Sequence, residues 1–377
     1  AACAANGGGI FGPCGVGAYP DSRTSIRGLE TVAKVFRYYK KLRQYMEDVE
    51  PVKHVAIAYS FNTRDYYERE DPKRYRYEFL GICRAFMESH IPFNLIVPEL
   101  VQDDSALEDY DLVVLPNVAC TSREFDSIIS SYVEKGGNLL ATYETSLYEE
   151  KGERKEDYSL AQVLGVNFRG NYEYPSFYCE WSVEPTICVG EGLIFEARGE
   201  IMNRLVAPSF PDGVVDRFIS PPGQVTPYPL ITRNAFGNGQ AFYVGFNIGG
   251  FYYEFGYYQT GELLENLLEK VLPKRIIKTN APKTVELAIQ LQPRRKRRLI
   301  HLVNKTTNHP YPGRALTRSI NTVIPVNDIT LDIPLDGQNV NVWALNGKIC
   351  AEIQENFLHV TVPKLEIHEI VVIEEKN

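Results

Sequence analysis

Four short apolar runs constrain this chain more than any other feature: Val52–Tyr59, Phe93–Val97, Leu112–Pro116 and Asn138–Thr142. None alternates cleanly between apolar and polar residues, so each must be buried on both faces. The segments between them carry helical spacing. Tyr75–Ser89 places Phe79, Ile82, Cys83 and Phe86 on one face, and Ser122–Lys135 ends at Gly136-Gly137. Strands alternating with helices predict an α/β fold with a parallel sheet covered on both sides. A β-rich extension follows over residues 166–235, where Gly, Pro and aromatics replace helical periodicity. Asn238-Gly239, between Ala235-Phe236 and Gln240–Gly245, signals a hairpin. Thr260–Leu272 is an amphipathic helix closed by Pro273. From Pro282 onward six short strand patterns, beginning with Val285–Gln292 and ending with Ile367–Ile373, predict a small C-terminal β-sandwich.

The N-terminal residues have a different texture. A glycine-rich stretch through Gly17 precedes a helix over Ser25–Met46, with Leu29, Val32, Ala33, Phe36 and Leu42 at helical spacing. The expected division is therefore 1–50, 51–275 and 276–377. Gly7–Gly12 matches G-x-G-x-x-G in form. Dinucleotide binding needs a strand before it and a helix opening on its last glycine, and Pro13–Gly17 stands there instead. The stretch reads as a loop.

Composition removes several function classes. A net charge of -8 argues against a general nucleic-acid binder. No run of 18 apolar residues exists to make a membrane-spanning helix. The seven cysteines are odd in number, widely spaced and without a C-x-x-C pair, which points to reduced thiols in a cytoplasmic protein. No metal-ligand spacing is present, and neither metal nor other cofactor is expected.

Candidate chemistry is sparse. Tyr143 and Glu144 follow the run Asn138–Thr142, and the carboxyl end of a parallel strand is where such sheets place ligand groups. Arg64–Glu70 alternates charges in the manner of a solvated loop, with substrate or partner contact as its functional reading. Gly81-Ile82-Cys83-Arg84-Ala85 imitates a nucleophile elbow, yet Cys83 falls inside a helical stripe and reads as core. Cys120 lies in a loop after a strand and would need a histidine base to act as a nucleophile. Tyrosines cluster at 252–253 and 257–258, where amphipathic rings suit sugars or subunit contacts. Arg294–Arg298, five basic residues in a row, sits where a hairpin should turn.

The order of these pieces resembles the C-terminal part of a β-galactosidase-type, family-42-like glycoside hydrolase. Asn6–Asp21 with the helix Gly28–Leu42 resembles the last strand, loop and helix of a (β/α)8 barrel. Val55–Ser60, Asp111–Pro116, Tyr132–Ser146 and Gly237–Gly250 resemble the trimerisation domain, which has a glutamine-amidotransferase-like (flavodoxin-like) fold. Leu299–Asn304 resembles the opening of the terminal β domain. The resemblance implies a carbohydrate substrate for the intact enzyme and a homo-oligomer, a trimer among the options. It also implies that Asn6, Tyr19 and Asp21 lie near the sugar site, and that Tyr143, Glu144, Tyr253 and Tyr257 reach that site or a subunit interface. Two departures stand out. Asn247 and Gly250 occupy positions where relatives carry Asp and Arg, and Tyr143-Glu144 stands where amidotransferases carry their nucleophilic cysteine.

A retaining glycosidase needs two carboxylates roughly 5 Å apart, held in a barrel of roughly 250 residues. Only one strand-loop-helix unit fits before Glu50, so no catalytic residue is expected in this chain. The expected role is the non-catalytic portion of a glycoside hydrolase. Two alternatives are a stand-alone carbohydrate-binding or assembly protein, and an amidotransferase-like hydrolase using Cys120.

Overall fold

The computed structural model describes residues 1–8, 20–21, 26–181, 183–210, 220–306, 322–335 and 339–376, apart from the side chains at 27, 28 and 31. The chain forms a mixed α/β structure with several sheets, in two compact units. One is Lys53–Arg275. The other combines Ala1–Val52 with Ile276–Asn377.

The unit Lys53–Arg275 is built on a nine-stranded sheet. Its first strands are β1 (Val55–Ala58), β2 (Asn94–Ile96), β3 (Leu112–Leu115) and β4 (Asn138–Thr142). The extension supplies β5 (Val166–Asn171), β6 (Ser176–Cys179), β7 (Thr186–Val189), β8 (Leu193–Ala197), β9 (Glu200–Pro208), β10 (Pro222–Phe236) and β11 (Gly239–Val244). The strand order is β2-β1-β3-β4-β11-β10-β9-β6-β7, while β5 and β8 pair separately. Strands β2, β1, β3, β4 and β11 run parallel, and the rest of the large sheet is antiparallel.

Successive strand residues go to opposite faces. Val55, Ile57, Leu112, Val114 and Leu140 pack in one apolar cluster, and Ala56, Val113, Leu115, Leu139 and Ala141 in the other. Helices α1 (Arg76–Glu88), α4 (Ile248–Phe255) and α5 (Tyr258–Val271) cover the first face. Helices α2 (Arg123–Glu134) and α3 (Ala161–Leu164) cover the second. Two-sided cover explains why the strands read as unbroken apolar runs. The hairpin joining β10 to β11 turns on Gly237-Asn238, one residue before the expected pair. Gly237 stands first with φ 58°, a position a II′ turn reserves for glycine.

The segment Arg64–Glu70, expected as a solvated loop, is instead largely a π-helical turn over Thr63–Glu68 that buries Thr63, Tyr67 and Glu68. The carboxylate of Glu68 explains the turn. It accepts from the backbone N–H of Arg76 at 2.8 Å and pairs with the Arg76 guanidinium, tying the segment to the start of α1.

In the second unit, the five-stranded antiparallel sheet runs Glu50–Pro51, Val285–Gln292, Arg297–Asn304, His368–Glu375, Val340–Ala344. A four-stranded sheet runs Lys278–Thr279, Val326–Pro334, Phe357–Leu365, Cys350–Gln354. Leu287, Ile300 and Leu302 of the first share a core with Ile329, Leu331 and Val360 of the second. The N-terminal residues join this unit: Ala4, Leu42 and Tyr45 pack on Leu299, Ile370 and Val372.

The barrel strand and loop expected within Asn6–Asp21 fall largely on residues 9–19, outside the described residues. Ala2–Ala5 is a helical turn, as three alanines in four favour, and Gln290 Nε2 donates to its last carbonyl at 2.9 Å. Helix Ile26–Leu42 buries its C-terminal end, whereas Ile26, Leu29, Val32, Val35 and Phe36 remain exposed. The basic run turns as expected, through Pro293–Arg295 and Lys296 at φ 50°, with Arg294 paired to Asp48 and Arg297 to Glu374. No described helix is long and apolar enough to cross a membrane.

Candidate functional site

The parallel strands of the Lys53–Arg275 unit order as β2-β1-β3-β4-β11, reversing direction of growth beside β1. Ligands of open α/β sheets sit beyond the carboxyl ends of the strands at such a point. A cleft of about 600 Å³ opens at these ends. The turn after β1 contributes Tyr67 and Arg74, the segment after β4 contributes Glu144 and Arg154, and α4 contributes Phe251 and Phe255.

Glu144 is the hub of the cleft and is 4% exposed. The Tyr67 hydroxyl donates to its Oε2 at 2.5 Å, and Arg154 Nη2 donates to Oε1 at 3.2 Å. The Tyr148 hydroxyl lies 3.3 and 3.4 Å from the two oxygens. The Glu144 backbone N–H donates to Asn117 Oδ1 at 3.1 Å, and Asn117 Nδ2 donates to the Arg74 carbonyl at 2.6 Å. The Arg74 guanidinium lies 4.1 Å over the Tyr67 ring. Burial raises the Glu144 carboxyl above its ordinary range, with Tyr67, Arg154 and Arg74 opposing. The same burial, reinforced by the Glu144 charge, holds the Tyr67 hydroxyl protonated as a donor.

Tyr143 has φ 51°, a left-handed conformation that costs a tyrosine of order 1 kcal/mol or more. The surroundings enforce it. Tyr143 N–H donates to the Val244 carbonyl at 2.7 Å, and Tyr243 donates its hydroxyl to the Tyr143 carbonyl at 2.6 Å. A sharp strained turn after a strand is the geometry of a nucleophile elbow. Here the elbow presents a phenol, whose hydroxyl donates to Glu191 Oε2 at 2.8 Å. Burial drives that phenol far above its ordinary pKa, so it supplies no nucleophile. The thiols fare no better. Cys83 lies inside α1 and Cys120 is 1% exposed; burial pushes both up to about 12. A thiol that keeps its proton to that pH is inert at neutrality. Cys179 and Cys188, on the adjacent strands β6 and β7, are both free.

Residues 53–275, the whole of this α/β unit, match the family described as the β-galactosidase trimerisation domain. The chain belongs to that family. β-Galactosidase LacA of Lactobacillus acidophilus is 31% identical over 124 residues, 30% of this chain and 18% of the relative. Among solved structures, α-L-fucosidase isoenzyme 2 from Paenibacillus thiaminolyticus has a TM-score of 0.78 at 18% identity, covering 95% of this chain and 54% of that one. A β-galactosidase from Bacillus circulans sp. alkalophilus gives 0.63 at 18% identity, covering 95% and 46%. The two structures share the fold. The chain spans 18% of the curated relative and about half of each solved one.

Of the residues singled out from sequence, Tyr143 and Glu144 lie in the cleft of the trimerisation domain. Tyr253 and Tyr257 do not line it. Tyr253 packs on Tyr77, ring centroids 4.9 Å apart, and Tyr257 lies 6.2 Å from Phe251. Asn6 belongs to the other unit, where its amide donates to the Ala2 carbonyl and to Glu286 Oε1. Asp21 is exposed in a turn, and Tyr19 with the stretch 9–18 falls outside the described residues. The sequence reading missed Arg74, Tyr148 and Arg154. Their signal was present: Tyr148 stands four residues and Arg154 ten after Glu144, close enough to fold back upon it. Asn247 caps α4, accepting from Gly250 N–H at 2.9 Å, so the departure at Asn247 serves structure.

Proposed function

We propose that this chain is the assembly-forming, non-catalytic portion of a carbohydrate-active glycosidase of β-galactosidase type. The trimerisation domain would bring copies together as a homo-oligomer, with a trimer as the expected number. Tyr143, Glu144, Tyr253 and Tyr257 would serve the subunit contact or the rim of the sugar site, and Asn6, Tyr19 and Asp21 that rim. In this reading residues 53–275 take the glutamine-amidotransferase-like arrangement and 276–377 form a β-sandwich. The order β2-β1-β3-β4-β11 supports the first, and the core shared by two antiparallel sheets supports the second. Tyr143 at the elbow argues against acyl transfer by this domain. The free thiols of Cys179 and Cys188 fit a reducing, cytoplasmic setting.

One observation carries the assembly reading. Tyr253, Phe255, Tyr257 and Tyr258 form an exposed aromatic ridge where α4 ends and α5 begins, with Tyr258 73% exposed. Clustered exposed aromatics mark interfaces, whose anchors are enriched in tyrosine. The test is the mass of the chain in solution by light scattering. A trimer is expected, and the double variant Tyr253→Ser with Tyr258→Ser should lower the mass toward the monomer. A monomeric parent chain, or a variant of unchanged mass, would count against the reading. Turnover of aryl glycosides by this chain alone would likewise sink its non-catalytic role.

A further inference from the structure

The cleft of the trimerisation domain is more completely furnished than an assembly role requires. Its charges are largely neutralised by one another. Lys73 pairs with Glu254 at 2.5 Å and Arg154 with Glu144 at 3.2 Å. Tyr143 donates to Glu191, and Arg154 Nη2 also donates to Asn171 Oδ1 at 3.2 Å. Four carboxylates and three cations line the same walls. An anionic ligand would meet Glu144, Glu191 and Glu254, and a cation would meet Lys73, Arg74 and Arg154. Neither gains a complementary field.

What the walls offer is a close alternation of hydrogen-bond donors and acceptors. A carboxylate accepts at about four positions. The guanidinium of Arg74 carries five N–H donors and lies over the Tyr67 ring. Beside these polar groups stand the rings of Tyr77, Phe251 and Phe255. Polar groups interleaved with aromatic faces match a molecule bearing hydroxyls on its edge and C–H groups on its face. The volume suits such a guest: about 600 Å³ lies within the usual range of small-molecule sites. At Gly190 an added Cβ would meet no atom within 4 Å, so the wall is open there.

We infer that this cleft binds an uncharged carbohydrate of one or two rings, held by Glu191, Asn171 and Arg74 and packed against the aromatic wall. The inference rests on the cleft and not on the assembly reading.

The experiment is calorimetric titration of the full chain with D-galactose, D-glucose, lactose, D-glucuronate and inorganic phosphate. At least one of the neutral sugars should bind with a Kd of about 1 mM or tighter. Glu191→Ala and Asn171→Ala, both at exposed positions, should each weaken that sugar about tenfold while thermal melting and solution mass stay unchanged. Binding confined to glucuronate or phosphate would overturn the inference in favour of an anion site at Arg74. Absence of binding to any probe would also overturn it, as would sugar binding untouched by both variants. A monomer that still binds sugar would overturn the assembly reading alone.

Discussion

Glu78 shows how one residue can be central to a fold without touching its cleft. The side chain is fully buried, accepts from Thr142 Oγ1 at 2.6 Å and from Gly250 N–H at 2.7 Å, and so joins the end of β4 to the first turn of α4. Burial pushes its carboxyl from 4.5 up to about 7, against the hydrogen bonds it receives. The sign follows directly. The folded state holds this proton more tightly than the unfolded chain, so the contribution is complete below about pH 4.5 and is lost as pH rises through about 7. The full effect is of order 3 kcal/mol. Glu78→Gln keeps the shape and removes the titration. Its melting temperature should change less between pH 5 and 7.5 than that of the parent chain, and equal slopes would refute the assignment. Sequence carried a sign of this residue: Glu78, Ile82 and Phe86 stand four apart, placing a carboxylate in a buried row. Glu144 was legible because it follows a strand. Its bond to Tyr67 was not, since 77 residues separate the partners.

At the scale of elements, the crossing of α1 with α4 depends on two glycines. A Cβ on Gly81 would lie 1.8 Å from the Gly249 carbonyl oxygen, and one on Gly249 would lie 2.4 Å from the Glu78 carbonyl oxygen. Both obstacles are backbone, so neither can swing aside. Gly81→Ala should therefore separate the helices and destabilise the domain by about 3 kcal/mol or more, despite the better helix propensity of alanine. Denaturant unfolding of the Lys53–Arg275 transition measures this, and a neutral or stabilising result would show that the helices can part at little cost. Periodicity made α1, α2, α5 and the parallel strands legible, because each has one clear buried face or two. It could not reveal the helix crossing, which is set by what is missing from Gly81. The π-helical turn at Thr63–Glu68 escaped for another reason: Arg64, Asp65, Arg69 and Glu70 dominate the composition of the stretch, while Tyr67 turns inward to Glu144, 77 residues on, and Glu68 to Arg76 at the start of α1.

The whole molecule contains a second buried titrating system, of opposite sign. In the unit formed by residues 1–52 and 276–377, Tyr38 Oη lies 2.7 Å from His368 Nδ1, and His368 Nε2 lies 3.0 Å from His301 Nδ1. Burial pushes His301 down to about 3 and His368 to about 4, with the neighbouring ring opposing a charge on His301. Here the unfolded chain binds protons first, below about pH 6.5. Stability from this pair is complete above that pH and is lost as pH falls toward 4. The sheet core around Glu78 gains stability over much of the same interval. Acidification from pH 7 to 5 should therefore move two calorimetric transitions in opposite directions, by several degrees each at about 2–4 °C per kcal/mol. Glu78→Gln should flatten the response of one transition only, and His301→Gln that of the other. If both transitions shift together, or if each variant alters both, the pH response belongs to the chain as a single cooperative body and not to its two units. The histidine half of this behaviour was not legible beforehand, because His301 and His368 are isolated in sequence and meet only where two neighbouring strands set them diagonally, with His301 opposite Ile370 and His368 opposite Val303.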